Sequence, residues 1–146
     1  MSIPWKAEGY TTVTPYYHVM EGDALALIEF LKTVFGAELM WQHLEPADGR
    51  VVNSEVRIGD SRFFISEFHA AEGTIHPGTH HARVYVEDAD GIYQLALQEG
   101  ATSIKEPADM AWGDRVACVE DPSGIRWHLL TQKQIVEGSP GRPWHW

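Results

Sequence analysis

The order of apolar and polar residues changes its period several times along the chain, and the changes occur twice in the same order. Residues 13–20 alternate between two faces, which predicts a strand. Apolar residues then recur at helical spacing from Ala24 to Phe35, after the predicted N-cap Asp23 and before Gly36, the type of residue that ends a helix. Three further strands are predicted at residues 38–44, 51–58 and 62–68. The first half therefore predicts a strand, a helix and three strands.

The second half repeats this order. Strands are predicted at residues 81–86, 102–105, 114–120 and 125–131, and a helix is predicted to begin at Asp88 or Asp90 and to end at Gly100. Gly36 and Gly100 are 64 residues apart, as are Arg62 and Arg126. The chain is thus predicted to contain an internal repeat.

The repeat predicts a single α+β domain over residues 1–146, built from two βαβββ modules. Module 1 covers about residues 13–68, a linker covers 69–80, module 2 covers about 81–131, and a tail covers 132–146. Residues 1–12 have no period and are interpreted as a tail or an edge segment. Because one sheet face of a lone module would be bare, we expect the two mixed sheets to curl around a cleft, with the helices outside.

Composition narrows the class of function. The 146 residues carry a formal net charge of −10, which argues against nucleic acid and anionic membrane surfaces as partners. No apolar run approaches the roughly 20 residues of a membrane span, and we see no signal peptide. The one cysteine, Cys118, fits a reducing compartment and is interpreted as a buried, inert thiol. A cytoplasmic protein is predicted.

The strand faces opposite the helix-packing residues carry aromatic and charged side chains, which predicts a binding site. These residues are Tyr16, His18, Arg62, Phe64, Ser66, His81, Arg83, Tyr85, Arg126 and His128, and the alternating Asn53, Glu55 and Arg57. Of these, we predict ligand-binding roles for Tyr16, His18, Phe64, Arg83, Tyr85 and Arg126, and we add Trp112 from a nearby loop. Trp41 and Trp112 could stack on a planar ligand, or they could pack within the protein or form a dimer contact.

Two chemistries fit this face. His81 and His128 could hold zinc, iron or nickel with a third ligand from Glu67, Glu55 or His18, or they could be hydrogen-bonding residues of a cavity. The arginines could anchor a carboxylate or phosphonate, or pair with acids such as Glu55.

Several short motifs resemble the vicinal oxygen chelate superfamily, which contains glyoxalase I, extradiol dioxygenases and bleomycin-resistance proteins, and most closely its PhnB-like branch. The motifs are Thr14-Pro15-Tyr16, Val34-Phe35-Gly36-Ala37-Glu38, Val56-Arg57-Ile58-Gly59-Asp60-Ser61, Val84-Tyr85-Val86-Glu87-Asp88, Trp112-Gly113-Asp114-Arg115 and Asp121-Pro122-Ser123-Gly124. The resemblance covers about residues 13–131 and implies the paired-module fold.

The resemblance also implies four metal-ligand positions, one on the first and one on the last strand of each module. They fall on Tyr16, Phe64, His81 and His128, so two of the four are good ligands. A small-molecule-binding protein of the resistance type, without a metal, is therefore one interpretation. The alternative is a lyase, isomerase or dioxygenase that uses one divalent metal (Zn, Ni, Fe or Mn), with Glu67 or Glu55 as general base.

The resemblance further implies a homodimer. The aromatic residues of the tail, Trp144 and Trp146, are expected to dock on the protein or on a partner subunit.

Overall fold

The computed structural model describes residues 3–69, 71 and 73–136. It contains ten elements: β1 (Tyr16–Met20), α1 (Ala24–Phe35), β2 (Glu38–Leu44), β3 (Val51–Ile58), β4 (Ser61–Phe68), β5 (His81–Tyr85), α2 (Ala89–Gln98), β6 (Thr102–Asp109), β7 (Asp114–Glu120) and β8 (Arg126–Gln132). The chain divides into two compact units between Ile75 and His76, inside the predicted linker. The predicted tail residues Trp144 and Trp146 lie outside the described residues.

Each unit holds one helix and one four-stranded mixed sheet. The strand orders are β1-β4-β3-β2 and β5-β8-β7-β6, so the first strand of each unit lies beside the last. That pairing is parallel, with Tyr16 opposite Phe64 in one sheet and His81 opposite Arg126 in the other. The remaining pairings are antiparallel. The predicted α+β class with two βαβββ modules is confirmed.

Each helix buries its apolar stripe on the sheet of its own unit. Leu27, Ile28 and Leu31 of α1 are at most 2% exposed, and Gly36 ends that helix in the left-handed region at φ 66°. In the second unit, Tyr93 and Ala96 of α2 are buried, and so are Trp127 and Leu129 of β8. Burial of these stripes supplies most of the stabilisation that such short elements need.

Two strand boundaries differ from the prediction by more than one residue. β1 begins at Tyr16 and not at residue 13, since Val13 is 79% exposed and gains nothing from burial on the sheet. β6 continues through Pro107 to Asp109, four residues beyond its predicted end. An edge strand tolerates a proline because one of its sides has no ladder to complete, and the pairing of β6 shifts register between Lys105 and Ala108.

The N-terminus of α1 is capped by a residue that the sequence did not indicate. Asp23 occupies the N-cap position but makes no side-chain capping bond. The buried carboxylate of Glu67 instead accepts hydrogen bonds from the backbone N–H groups of Gly22, Ala24 and Val51. In the second unit the predicted residue Asp88 is the N-cap of α2, and its side chain accepts from the N–H of Gly91 at 3.1 Å. The hydroxyl of Thr131 in addition accepts from the N–H of Ala89 at 2.9 Å.

No helix in the described part of the chain is both long enough and apolar enough to span a membrane.

Candidate functional site

The second unit has a pocket of about 460 Å³ on the sheet face opposite helix α2. Strands β5 to β8 and the loop before β7 line it with Arg83, Ile104, Lys105, Trp112, Val116, Cys118, Arg126, His128 and Leu130. Its size is that of a small-molecule site. Apolar side chains form much of the wall, and three cations lie among them.

Strand pairing explains why these side chains meet. Arg83 of β5 is the register partner of His128 of β8, and His128 is the partner of Cys118 of β7. Alternation along β8 then directs Arg126, His128 and Leu130 to the pocket, while Trp127 and Leu129 are buried in the core. Four of the predicted ligand-binding or metal-ligating residues thus lie together: Arg83, Trp112, Arg126 and His128.

The two predicted imidazole ligands contact each other. Nδ1 of His81 and Nε2 of His128 are 3.0 Å apart and share a hydrogen bond. Burial lowers the pKa of His128 below its ordinary value of 6.5, and His81 and the cations Arg83, Arg126 and Lys105 lower that pKa further. At neutral pH His128 is therefore an uncharged hydrogen-bonding group in a positive field.

The three cations differ in how they are paired. Arg126 donates from Nε to Oε1 of Glu120 at 3.1 Å, and Gly78 packs against its guanidinium. Nζ of Lys105 contacts Sδ of Met110 at 3.4 Å. Within residues 3–69, 71 and 73–136, neither Lys105 nor Arg83 has a carboxylate at ion-pair distance. The pocket therefore keeps positive charge that an anion can neutralise.

The side chains around this pocket determine how well it would hold a metal ion. In the described ranges there is no group of three or more His, Cys, Asp or Glu side chains that could hold one. The thiol of Cys118 is 3.9 Å from Nε2 of His128, but burial raises its pKa, which disfavours the thiolate that binds metals. A divalent cation would also be repelled by Arg83, Lys105 and Arg126. These residues do not fit a metal centre.

The remaining predicted residue of the second unit, Tyr85, lies two residues beyond Arg83 on β5. Its hydroxyl donates to Oδ2 of the buried Asp114 at 3.0 Å. It is 55% exposed and does not line the pocket.

Most of the predicted residues of the first unit form an aromatic cluster on its sheet. Tyr16 contacts Phe64 and His18 with ring centres 6.1 and 4.5 Å apart, and the hydroxyl of Tyr16 is 2.6 Å from Oγ of Ser66. Trp41 lies 6.0 Å from Phe64, also between ring centres. Tyr16, Phe64 and Trp41 thus surround one part of the sheet face.

The two carboxylates proposed as general bases lie in different surroundings. Glu55 is 1% exposed and accepts hydrogen bonds from the hydroxyl of Tyr10 and from Nη1 of Arg62. Glu67 shares its face of β4 with Phe63 and Ile65, and not with Phe64 and Ser66. Because both of its oxygens accept backbone N–H groups, Glu67 has a structural task, and its catalytic role stays a prediction.

Sequence reasoning missed Ile104, Lys105, Val116, Cys118 and Leu130 as pocket residues. Its interpretation of Cys118 as a buried thiol agrees with the structure. It also treated Tyr10 as part of a tail, whereas Tyr10 packs on the sheet. The alternation of β7 was a usable signal for Val116 and Cys118, since both share a face with Glu120. No local pattern indicated Tyr10.

A second pocket of about 460 Å³ lies elsewhere in the second unit and contains none of the predicted site residues. It is lined by Asp90, Asp109, Met110, Gly113, Arg115, Lys133 and Gln134. Arg115 pairs there with Asp90 at 2.8 Å and with Asp109 at 3.2 Å. Since these charges neutralise one another, we favour the first pocket as the functional one.

Comparison with known proteins identifies a family with the predicted paired-module fold. The family model of the Glyoxalase/Bleomycin resistance protein/Dioxygenase superfamily matches residues 14–129. The uncharacterized protein Mb0911c of Mycobacterium bovis is 30% identical over 124 residues, which are 77% of this chain and 78% of that one.

Solved structures show the same fold at lower identity. A PhnB protein from Bacillus cereus matches with a TM-score of 0.65 at 14% identity, over 83% of this chain and 99% of that one. A glyoxalase/bleomycin resistance protein/dioxygenase family enzyme from Burkholderia phytofirmans matches with a TM-score of 0.63 at 18% identity, over 80% and 96%. With the family model covering both βαβββ modules, the chain belongs to the glyoxalase/bleomycin resistance protein/dioxygenase superfamily.

Proposed function

We propose that this protein binds a small organic acid, an anionic group on an apolar or aromatic body, in the pocket of its second unit. The observation that carries the proposal is that the pocket combines a mostly apolar wall with two cations, Arg83 and Lys105, for which the described part of the chain provides no carboxylate at ion-pair distance. The anionic group would lie near Arg83 and His128, and the apolar body would contact Ile104, Val116 and Leu130. The protein would then be a binding protein of the resistance type, whose function is to sequester this acid.

Guanidinium groups suit this role because they can donate two parallel hydrogen bonds to one carboxylate or phosphonate. A ligand that neutralises Arg83 inside a partly apolar pocket gains more than it would in water, since the effective dielectric constant is lower there. The neutral His128 can add a hydrogen bond without adding charge. Affinity for the anion should therefore fall as salt concentration rises.

The test is calorimetric titration with benzoate and phenylphosphonate, and with uncharged benzamide as a matched probe. We expect both anions to bind more tightly than benzamide, and Arg83→Gln to weaken anion binding about tenfold, the loss of one charge-assisted hydrogen bond. Arg57→Gln is the control, because Arg57 lies in the first unit and pairs with exposed Glu38 at 2.9 Å. Equal affinities for benzoate and benzamide, or equal effects of the two arginine variants, would contradict the proposal.

The metal-dependent alternative is supported by the contact between His81 and His128, since a lyase or dioxygenase of this superfamily would need both as ligands. Because the residues around these two histidines fit a metal centre poorly, we favour ligand binding without a metal. Metal content of tag-free protein, measured by mass spectrometry with His81→Ala and His128→Ala as controls, decides between them. Near-stoichiometric metal that both variants lose would favour the enzyme.

We also propose that the protein is a cytoplasmic homodimer. Family membership supports the dimer, and the single cysteine supports the cytoplasmic location. Light scattering after size-exclusion chromatography measures the mass of the assembly. A mass near twice 16.4 kDa is the expected result, and a mass near 16.4 kDa would contradict it.

A further inference from the structure

The second pocket of the second unit lies on the other side of β7 from the proposed anion pocket. Val116 and Cys118 line the anion pocket, whereas Arg115 extends from the opposite face of the same strand into the second pocket. Helix α2 contributes Asp90 to this pocket, and β6 contributes Asp109, the register partner of Arg115. The two pockets therefore have separate sets of charged groups.

One arginine serves two carboxylates in the second pocket. Nε of Arg115 donates to Oδ2 of Asp90 at 2.8 Å, and Nη1 donates to Oδ1 of Asp109 at 3.2 Å. A single guanidinium charge can neutralise only one of the two carboxylate charges, so this group of three retains one negative charge. That charge is most accessible at Asp109, whose side chain is 76% exposed, compared with 50% for Asp90.

The fourth charged group of the pocket, Lys133, supplies a separate positive charge. Within residues 3–69, 71 and 73–136, no carboxylate lies at ion-pair distance from its Nζ, and Nη2 of Arg115 has no hydrogen-bond acceptor. The hydrogen bond from Arg115 lowers the pKa of Asp90, and the charge of Lys133 lowers that pKa further. Positive charge is therefore concentrated about Asp90, and the negative charge that remains is at Asp109.

The four charges sum to zero, so this pocket has no net attraction for a simple anion or a simple cation. A zwitterion is attracted at both ends, because its ammonium can contact Asp109 while its carboxylate contacts Nζ of Lys133 and Nη2 of Arg115. We propose that this pocket is a second ligand site, for a small zwitterion of the α-amino acid class. Met110 offers a thioether for an apolar side chain of that ligand. The site shares no lining residue with the anion pocket and does not depend on the proposed function.

Leucine, leucinamide and N-acetylleucine are the probes, because they share one side chain and carry both charges, the positive charge alone and the negative charge alone. They are titrated into isotope-labelled protein, and the backbone amide NMR signals of Lys133 and Gln134 report binding, since both residues line only this pocket. Contacts between exposed charges are individually weak, so we expect leucine to bind with a dissociation constant on the order of 1 mM. Each analogue with a single charge should bind about fivefold more weakly at these signals.

Two substitutions remove opposite ends of the site. Lys133→Met should weaken leucine binding about fivefold without weakening leucinamide binding, and Asp109→Asn should weaken the binding of leucine and leucinamide but not of N-acetylleucine. Both side chains are exposed, so both variants should fold. Lys32→Met and Asp60→Asn, at exposed positions of the first unit, are the matched controls and should bind leucine as wild type does.

The proposal is overturned if leucine leaves the Lys133 and Gln134 signals unchanged at about ten times the expected dissociation constant, or if either analogue binds there as tightly as leucine. Wild-type affinity for leucine in both Lys133→Met and Asp109→Asn would have the same consequence. Benzoate separates the two pockets, because it should leave these signals unchanged whether or not it binds in the anion pocket. A benzoate shift as large as that of leucine would make the second pocket an anion site and overturn the zwitterion.

Discussion

The turn before β8 depends on one buried carboxylate, and its replacement tests the reasoning about buried polar groups. Asp121 is 3% exposed, and donors alone surround it. Oδ1 accepts from N and Oγ of Ser123 at 2.7 and 2.6 Å and from N of Ile125 at 3.2 Å. Oδ2 accepts from Nε1 of Trp127 at 2.7 Å. The perturbation is Asp121→Asn, which keeps the shape and replaces one acceptor with a donor.

The expected cost follows from these contacts. With its oxygen toward Ser123, the new amide nitrogen faces the indole N–H of Trp127, which is 1% exposed and therefore shielded from bulk water. A buried donor without an acceptor costs about 1–3 kcal/mol. Burial raises the pKa of Asp121, so the native carboxylate already carries a desolvation cost that asparagine relieves. We therefore expect a net loss of about 2 kcal/mol in the free energy of unfolding.

Urea unfolding followed by fluorescence measures this loss, with Asp60→Asn in the exposed turn of the first unit as control. Asp60→Asn should stay within about 0.5 kcal/mol of wild type. Combining Asp121→Asn with Trp127→Phe removes the facing donor, so the double variant should be more stable than the sum of the single effects predicts, by about 1 kcal/mol. An Asp121→Asn effect below about 0.5 kcal/mol, or strict additivity, would refute the reasoning.

Three further predictions concern the second unit. Thr131→Val removes the hydroxyl that accepts from the first N–H of α2 and donates to the carbonyl of Val86, and it should lower the free energy of unfolding by about 1–2 kcal/mol. Urea unfolding measures this loss, and Thr131→Ser should restore most of it. Gly113→Ala should cost about 2 kcal/mol or more in thermal or urea unfolding, because Gly113 has φ +101° and an added Cβ would lie 2.3 Å from the carbonyl oxygen of Gln134. Benzoate affinity, measured by titration calorimetry, should increase as the pH falls from about 7.5 to about 5.5. The reason is that a bound anion raises the depressed pKa of His128, so the complex holds more protons than the free protein. An affinity independent of pH, or the same increase in His128→Gln, would contradict this.

The sequence alone determined the elements and their faces. The change from alternation to helical spacing, repeated after 64 residues, was sufficient to predict both βαβββ modules, because side-chain direction within one strand or helix follows from backbone geometry. For the same reason it predicted that Arg126 and His128 share one face of their strand, and in the structure Trp127 and Leu129 are buried on the other. The alternation of side chains along β4 also indicates that Glu67 and Phe64 lie on opposite faces of the sheet.

Tertiary structure decided what these faces meet. Each first strand pairs with the last strand of its unit, so Arg83 and His128 become neighbours although they are 45 residues apart in the chain, and β7 then brings Cys118 beside them. Tyr10 reaches Glu55 across a similar separation, from a segment that has no period of its own. Periodicity carries no information about such contacts, because strand order, register and the path of an irregular segment depend on burial and hydrogen bonding summed over the whole unit.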